Sequence, residues 1–278
     1  MALPSSYGLF QRALIDSGAF NSWTNKTAVQ AQATFDQLAE NLGCSSGNQS
    51  AVVDCMVSKD ALTLVSATDP YYGNGTACMY HKCPTPSSLP NGESLTGTLF
   101  APVTDGEILP FAPVLQLAKG QLAPGVSVLL GTNRDEGSLF CDVVIRDSED
   151  FQAWAVRNFG SDVASMLPLI YNTSVGYQSW WYAAIAAAGD FSLTCPTRRA
   201  ARALAKRPGP AKTWVYQFAH SPRTPLNQPD PPYPSWKFGA YHGSEYAHST
   251  LVSSIYLHRA HYLVGTVLVS TGIFIPID

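Results

Sequence analysis

Charged side chains are scarce in this 278-residue chain. They make up 13% of it, about half the share in an average soluble protein. The net charge is −3 and no basic run occurs, so the electrostatic footprint of a nucleic-acid-binding protein is missing. Hydrophobic residues make up 46%, which allows a sizeable core and argues against disorder over most of the chain.

The six cysteines include no C-x-x-C pair, so the sequence does not fit a zinc ribbon. Their even number and the short polar loops between them favour disulfide bonds, and therefore an oxidising compartment, over buried free thiols. Along the chain they fall into the sets Cys44 and Cys55, Cys78 and Cys83, and Cys141 and Cys195; the pairing of the last four is left open.

The first 20 residues lack the charged and apolar regions of a signal peptide. The chain nevertheless contains four N-x-[S/T] sequons, more than its ten asparagines would give by chance. Sequons without a signal peptide are expected in a fragment, so we predict a secreted glycoprotein whose signal peptide lies upstream. The four sequon asparagines are Asn25, Asn48, Asn74 and Asn172.

Hydrophobic periodicity predicts an α/β fold. Apolar residues recur at three-four spacing over 27–42, which is typical of an amphipathic helix. Short apolar runs predict buried strands, and the two later runs are continuous, as in parallel strands covered on both faces. Helical stretches between them favour a parallel sheet with an open edge. The predicted strands are 13–15, 126–130 and 214–218; further helices are predicted at 51–57, 60–66, 150–167, 179–188 and 196–206.

The C-terminal tail is unusual, because residues 260–277 carry no formal charge. A membrane helix there would be short and interrupted by Gly265, Gly272 and Pro276. A buried strand or an aberrant C-terminus is favoured, so we do not expect a membrane partner.

Glu136 and His242 are candidate catalytic residues. Glu136 follows the strand at 126–130, and in open α/β sheets ligands bind beyond the carboxyl ends of the strands. His242 follows a proline-rich loop and is flanked by Gly239 and Gly243. A carboxylate and a histidine in this chain order match the last two members of the hydrolase order serine, acid, histidine. A nucleophilic serine should therefore lie upstream of Glu136.

No serine satisfies that expectation. The G-x-S-x-G pattern occurs once, around Ser45, but it follows a predicted helix rather than a strand. Ser94 follows a turn and its second glycine is displaced, and Ser17 follows a strand but lacks the preceding glycine. The sequence therefore supplies an acid and a base without an evident nucleophile.

Several blocks, in order over residues 3–248, resemble the type-B carboxylesterase and cholinesterase family. They are L-F-Q-R-A-L-I-D-S-G at 9–18, L-G-C at 42–44 with V-D-C-M at 53–56, P-V-T-D-G at 102–106, G-T-N-R-D-E-G at 131–137, D-F with C-P-T-R at 190–198, and H-G-S-E at 242–245.

The resemblance implies a partial α/β-hydrolase fold, a mostly parallel sheet with flanking helices, and a serine ester hydrolase. It makes Glu136 and His242 the triad acid and base, Cys44–Cys55 a disulfide, and Ser17 and Glu245 supporting residues behind the triad. Residues 1–249 would be the C-terminal portion of the esterase domain, beginning just after the nucleophile, and 250–278 an unassigned tail. The chain alone is therefore predicted to be inactive.

Two alternatives belong to other functional classes. A non-catalytic adhesion or binding ectodomain on the same fold is disfavoured because both Glu136 and His242 are present. A metal site formed by His242, Glu245 and His248 is disfavoured because glycines around the histidine predict a loop rather than a helix. We expect no metal or cofactor and a small-molecule or lipid ester as the full enzyme's substrate, and the sequence does not indicate an oligomeric state.

Overall fold

The computed structural model describes residues 1–21, 25–68, 101–139, 141, 145–221, 238–245 and 275–276. Strands and helices alternate within these ranges. The strands are β1 (Arg12–Asp16), β2 (Lys26–Thr27), β3 (Val103–Thr104), β4 (Ser127–Asn133), β5 (Thr213–Phe218) and β6 (Ile275–Pro276). The helices are α1 (Ala28–Asn41), α2 (Gln49–Val57), α3 (Ala61–Thr68), α4 (Pro113–Ala118), α5 (Ser148–Met166), α6 (Trp180–Gly189) and α7 (Cys195–Ala205).

The main sheet has the order β1-β4-β5-β6. β1, β4 and β5 are mutually parallel, and β6 pairs with β5 in the antiparallel direction. β2 and β3 form a separate parallel pair. The prediction of a mostly parallel α/β sheet with flanking helices is confirmed.

Local sequence explains why α1 begins and ends where it does. Thr27 and Gln30 form a reciprocal capping box at the N-terminus. At the C-terminus Gly43 has a φ of +68°, a left-handed conformation that favours glycine. The Gly43 and Cys44 N–H groups donate to the carbonyls of Glu40 and Ala39, which is the Schellman pattern. The predicted helix 27–42 therefore differs from α1 only by its two cap residues.

Two hydrophobic cores support the elements that lead to the site, one on β4 and one around α5 and α6. Val128 and Leu130 of β4 are fully buried and pack with Ala200 and Leu204 of α7. A second core surrounds α5 and α6 and includes the fully buried Phe151 and Trp154 with Trp181. The central strand β4 and these helices are thus held by apolar burial, which fixes the end of β4 in space.

The prediction that the later strands are covered on both faces is only partly right. β4 is buried along most of its length, but Trp214 of β5 is 41% exposed. Continuous apolar sequence does not distinguish a covered strand from one with an exposed apolar face, because both read as unbroken hydrophobic runs. Most of the predicted tail, 250–278, lies outside the described residues.

The Cys44–Cys55 disulfide is present and joins the end of α1 to α2. Cys44 is buried against Leu38 and Leu42, so the bridge belongs to a small core of its own. Cys195 is a free, exposed cysteine, and Cys78 and Cys83 lie outside the described residues. Within the described ranges, none of the helices is both long and apolar enough to cross a bilayer.

Loss of the Cys44–Cys55 bridge should destabilise the protein. The bridge closes a loop with a sequence separation of 11, and the loop-entropy model assigns about 3 kcal/mol to a loop of that size. We expect the double variant Cys44→Ala/Cys55→Ala to lower the free energy of unfolding by about that amount. Urea unfolding followed by circular dichroism measures it. Cys195→Ala, at an exposed free cysteine, is the matched control. Equal urea midpoints for the double variant and the oxidised wild type would contradict the prediction.

Candidate active site

The candidate site lies at the carboxyl ends of β1, β4 and β5. Because these strands are parallel, the residues that follow them meet at one edge of the sheet. Ser17 follows β1, Asn133 ends β4, and Glu136 begins a one-turn 3₁₀ helix, Glu136–Leu139. Sheet topology therefore brings together residues more than 100 positions apart in sequence.

Glu136 is the buried centre of the site, with 1% of its surface exposed. Its Oε1 accepts hydrogen bonds from the Ser17 hydroxyl at 2.6 Å and from the Asn133 backbone N–H at 2.7 Å. Its Oε2 lies 2.8 Å from His242 Nδ1. A carboxylate can be buried only when its oxygens are satisfied, and here each oxygen has a partner.

His242 is more exposed than its partner. The side chain of His242 is 35% exposed, against 1% for that of Glu136. When Nδ1 donates to the ionised Glu136, the neutral imidazole keeps its lone pair on Nε2. The arrangement is therefore suited to a histidine that accepts a proton through Nε2 and is stabilised when it becomes positively charged.

Ser17 contacts Glu136 because of an unusual backbone conformation. Its φ is +54°, in the left-handed region that non-glycine residues seldom occupy. Its N–H donates to the Gly131 carbonyl at 2.9 Å, which continues the β1–β4 ladder by one residue. Strain of this kind persists where neighbouring contacts over-determine it. Here the Ser17 hydroxyl is directed to the glutamate.

Glu245 lies on the other side of Asn133. The Asn133 side-chain amide donates to Glu245 Oε2 and to the Tyr241 carbonyl, the latter at 2.7 Å. Asn133 thus contacts Glu136 through its backbone and the histidine segment through its side chain. Ser17 and Glu245 were predicted as supporting residues. Ser17 is hydrogen-bonded directly to Glu136, and Glu245 is connected to it through Asn133.

The buried Tyr216 and the half-buried Asp16 form a second polar pair beside the site. Asp16, Gly131 and Tyr216 occupy the same row of β1, β4 and β5. The Tyr216 ring passes over Gly131, where an added Cβ would lie 1.9 Å from the ring, and its hydroxyl donates to Asp16 Oδ1. Burial, followed by this hydrogen bond and the nearby Asp16 charge, raises the pKa of Tyr216.

Close packing against α6 holds the turn that carries Glu136. A Cβ on Gly137 would lie 2.0 Å from the Ile185 carbonyl oxygen and 2.5 Å from the Gly189 nitrogen. The backbones of the turn and of α6 therefore touch directly, and only glycine fits at position 137. This contact connects the glutamate to the core around α5 and α6.

The remaining sequence candidates are not brought to this site by any described contact. Ser45 is exposed in the connection between α1 and α2, after a helix. Ser94 and His248 lie outside the described residues. No group of three or more His, Cys, Asp or Glu side chains in the described ranges could hold a metal ion.

Sequence reasoning missed Asp16, Tyr216 and the side chains of Asn133 and Asp135. Asp16 precedes Ser17 directly, and Asn133 and Asp135 flank Glu136, so proximity to predicted site residues was an available signal. Tyr216 gave no such signal, because its role depends on strand register and on the absence of a side chain at Gly131.

The carboxylesterase family profile matches residues 1–259, more than nine-tenths of the chain. The chain belongs to the carboxylesterase family. It is 27% identical over 234 residues to the para-nitrobenzyl esterase of Bacillus subtilis (strain 168), which covers 81% of this chain and 40% of that protein. It is 28% identical over 256 residues to the acetylcholinesterase of Bungarus fasciatus, covering 85% of this chain and 37% of that one.

A cholinesterase of Mus musculus is 31% identical over 140 residues, which is 49% of this chain and 20% of that protein. The chain thus spans at most about two-fifths of the length of these relatives. The family assignment accounts for the α/β-hydrolase fold and for ester hydrolysis as the family's chemistry.

The Tyr216–Asp16 pair should make stability depend on alkaline pH. Unfolded tyrosine ionises near pH 10, whereas the pKa of Tyr216 in the folded protein is higher. Because the folded state favours the neutral phenol, Tyr216 contributes its full stabilisation below pH 10. Above pH 10 the free energy of unfolding should fall by up to about 1.4 kcal/mol per pH unit.

We expect Tyr216→Phe to lower the free energy of unfolding by about 2 kcal/mol at pH 7, since a hydrogen bond to a carboxylate is removed. Above pH 10 its stability should fall less steeply than that of the wild type. Urea titrations at several pH values measure both effects. Between pH 7 and 9 the free energy of unfolding should change with pH equally in the wild type and the variant. Parallel curves from pH 9 to 12 would contradict the assignment.

Proposed function

We propose that Glu136 and His242 are the acid and base of a serine carboxylic-ester hydrolase. The observation that carries the proposal is the 2.8 Å contact between His242 Nδ1 and the fully buried Glu136 carboxylate, at the carboxyl ends of parallel strands. This is the geometry in which a carboxylate orients an imidazole and stabilises the imidazolium.

In the proposed reaction, His242 Nε2 takes the proton of a serine hydroxyl as that oxygen attacks the ester carbonyl. The imidazolium then protonates the leaving alcohol, and water hydrolyses the acyl-serine by the same steps. Ser17 holds Glu136 in place through its 2.6 Å hydrogen bond, and Glu245 holds Asn133. Both are positioning residues in this scheme, and the reaction needs no cofactor or metal.

We infer that the nucleophilic serine is supplied by sequence outside this chain, which would be inactive alone. In the described part of the chain the Ser17 hydroxyl contacts the pair, and it donates to Glu136. The chain also spans only 40% of the bacterial relative. Loss of a triad serine costs about a millionfold in turnover, so the isolated chain should not hydrolyse esters.

The substrate class follows from the family: a carboxylic ester of a small molecule or a lipid. One relative is named for para-nitrobenzyl esters and others for choline esters. A non-catalytic adhesion or binding ectodomain remains the alternative function, and the buried, fully bonded carboxylate beside His242 weighs against it, because only the hydrolase uses this pair.

Labelling with a fluorophosphonate probe tests the proposal. The probe reacts with activated serines, so the recombinant 278-residue chain should remain unlabelled. From the native source, an antibody to this chain should capture a larger, labelled protein. In that longer protein His242→Gln should abolish labelling, whereas Glu149→Gln, at an exposed glutamate of α5, should not change it.

Labelling of the recombinant chain near its own mass of 29.9 kDa would overturn the inference about the nucleophile but preserve the hydrolase. A captured native protein that is not labelled would overturn the hydrolase and favour the binding ectodomain.

We also propose that the protein is secreted and glycosylated. The Cys44–Cys55 disulfide supports an oxidising compartment. Of the three sequons within the described ranges, Asn48 is exposed and caps α2 through its Oδ1. The Nδ2 atoms of Asn25 and Asn172, to which a glycan would be attached, instead donate to Thr104 Oγ1 and the Pro168 carbonyl. Asn74 lies outside the described residues.

Glycan occupancy should therefore be higher at Asn48 than at Asn25 or Asn172. Expression behind a signal peptide in a eukaryotic secretory host, with and without peptide-N-glycosidase, measures it as a mass step on a gel. Asn48→Gln should remove one step, and Asn172→Gln should leave the pattern nearly unchanged. The reverse pattern, or no enzyme-sensitive mass at all, would contradict the proposal.

A further inference from the structure

Asp135, which has no part in the acid–base pair, joins the segment that carries His242 to the turn that carries Glu136. The Asp135 N–H donates to the Ala240 carbonyl at 3.1 Å, and the Ala240 N–H donates to Asp135 Oδ2 at 2.7 Å. These two reciprocal bonds, named here the Asp135 bracket, resemble one rung of a β-ladder in which a carboxylate oxygen replaces a carbonyl. Ala240 lies only two residues before His242.

The fit around the Asp135 carboxylate is close. Gly239 has a φ of +62°, and a Cβ at that position would lie 2.1 Å from Asp135 Oδ2. The carboxylate therefore occupies the space that any other residue at 239 would need. Ala240 is completely buried, so its N–H would have no access to water if the carboxylate were removed.

Arg134 orients the carboxylate from the other side. Its Nε lies 3.0 Å from Asp135 Oδ2, and its guanidinium also donates to Ser221 at 3.2 Å. The Arg134 backbone N–H donates to the Phe218 carbonyl at the end of β5. Asp135 is thus held relative to both β4 and β5 before it contacts the histidine segment.

The three consecutive residues after Asn133 contact different parts of the fold. Arg134 connects to β5, Asp135 brackets Ala240, and Glu136 contacts the imidazole of His242. An acid–base pair such as Glu136 and His242 works only when its groups are held to within about 0.5 Å of the productive geometry. The Asp135 bracket fixes the segment that carries His242 relative to the turn that carries Glu136, next to the hydrogen bond between these two residues.

We propose that Asp135 is a positioning residue that sets the distance between His242 and Glu136; the inference rests on the proposed function of that pair. Its carboxylate does not touch the reacting atoms. In a catalytically complete protein, displacement of the imidazole by about 1 Å would lower turnover by about 100-fold.

The test uses the 278-residue chain and does not depend on ester hydrolysis. A proton shared between an imidazole nitrogen and a carboxylate is strongly deshielded, so the Nδ1 proton of His242 should resonate far downfield of the amide region in a proton spectrum. His242→Gln assigns the resonance by removing it. Asp135→Ala should broaden the resonance beyond detection, because a loosened pair exchanges its proton with water.

Asp135→Asn is the conservative variant. Its side-chain oxygen can still accept from the Ala240 N–H, so the downfield resonance should be retained. Asp162→Ala, the same truncation at an exposed aspartate of α5, should leave the resonance unchanged. Near-ultraviolet circular dichroism of the buried Trp154 and Trp181 shows whether each variant is folded at the temperature used.

Loss of the resonance in folded Asp135→Ala, with retention in Asp135→Asn, would support positioning. A sharp resonance in Asp135→Ala would overturn the positioning role and leave the acid–base pair intact. The same conclusion would follow if the variant were partly unfolded but its folded fraction kept the resonance. Absence of the resonance from the wild type would overturn both. Failure of fluorophosphonate labelling in the longer protein would overturn the hydrolase alone.

Discussion

Burial of one carboxylate, that of Glu136, constrains the whole site. A polar group with 1% exposure must be compensated by hydrogen bonds, and the partners come from three separate parts of the chain: Ser17, Asn133 and His242. The left-handed backbone of Ser17 and the glycine contact between the turn and α6 both serve this requirement. The parallel sheet matters to function chiefly because it brings these partners to one edge.

The sequence predicted much of the fold because local signals agreed with tertiary packing. Apolar residues at three-four spacing over 27–42 located α1, and the apolar runs located β1, β4 and β5. Helix α4 and the two-residue strands were missed, because six or fewer residues give too little periodicity to detect. Exposure of Trp214 was missed because hydrophobic sequence does not reveal which side of a strand is covered.

The candidate site was predictable to the extent that its residues lie in contiguous motifs. Glu136 and His242 were identified by chain order and by their family blocks, and Ser17 and Glu245 by adjacency within those blocks. The role of Asp135 depends on which backbone lies opposite it, and that information is carried by the folded chain rather than by the residues next to it.

The row formed by Asp16, Gly131 and Tyr216 has a consequence for how related sequences can diverge. The tyrosine reaches across a whole strand only because the middle residue has no side chain. A methyl group at 131 would require a smaller residue at 216, which would in turn leave the carboxylate at 16 without its hydroxyl partner. Residues 16, 131 and 216 should therefore be substituted together or not at all, although 16 and 216 are 200 residues apart. Joint substitution at these positions in related sequences would indicate that the three strands pair in the same register.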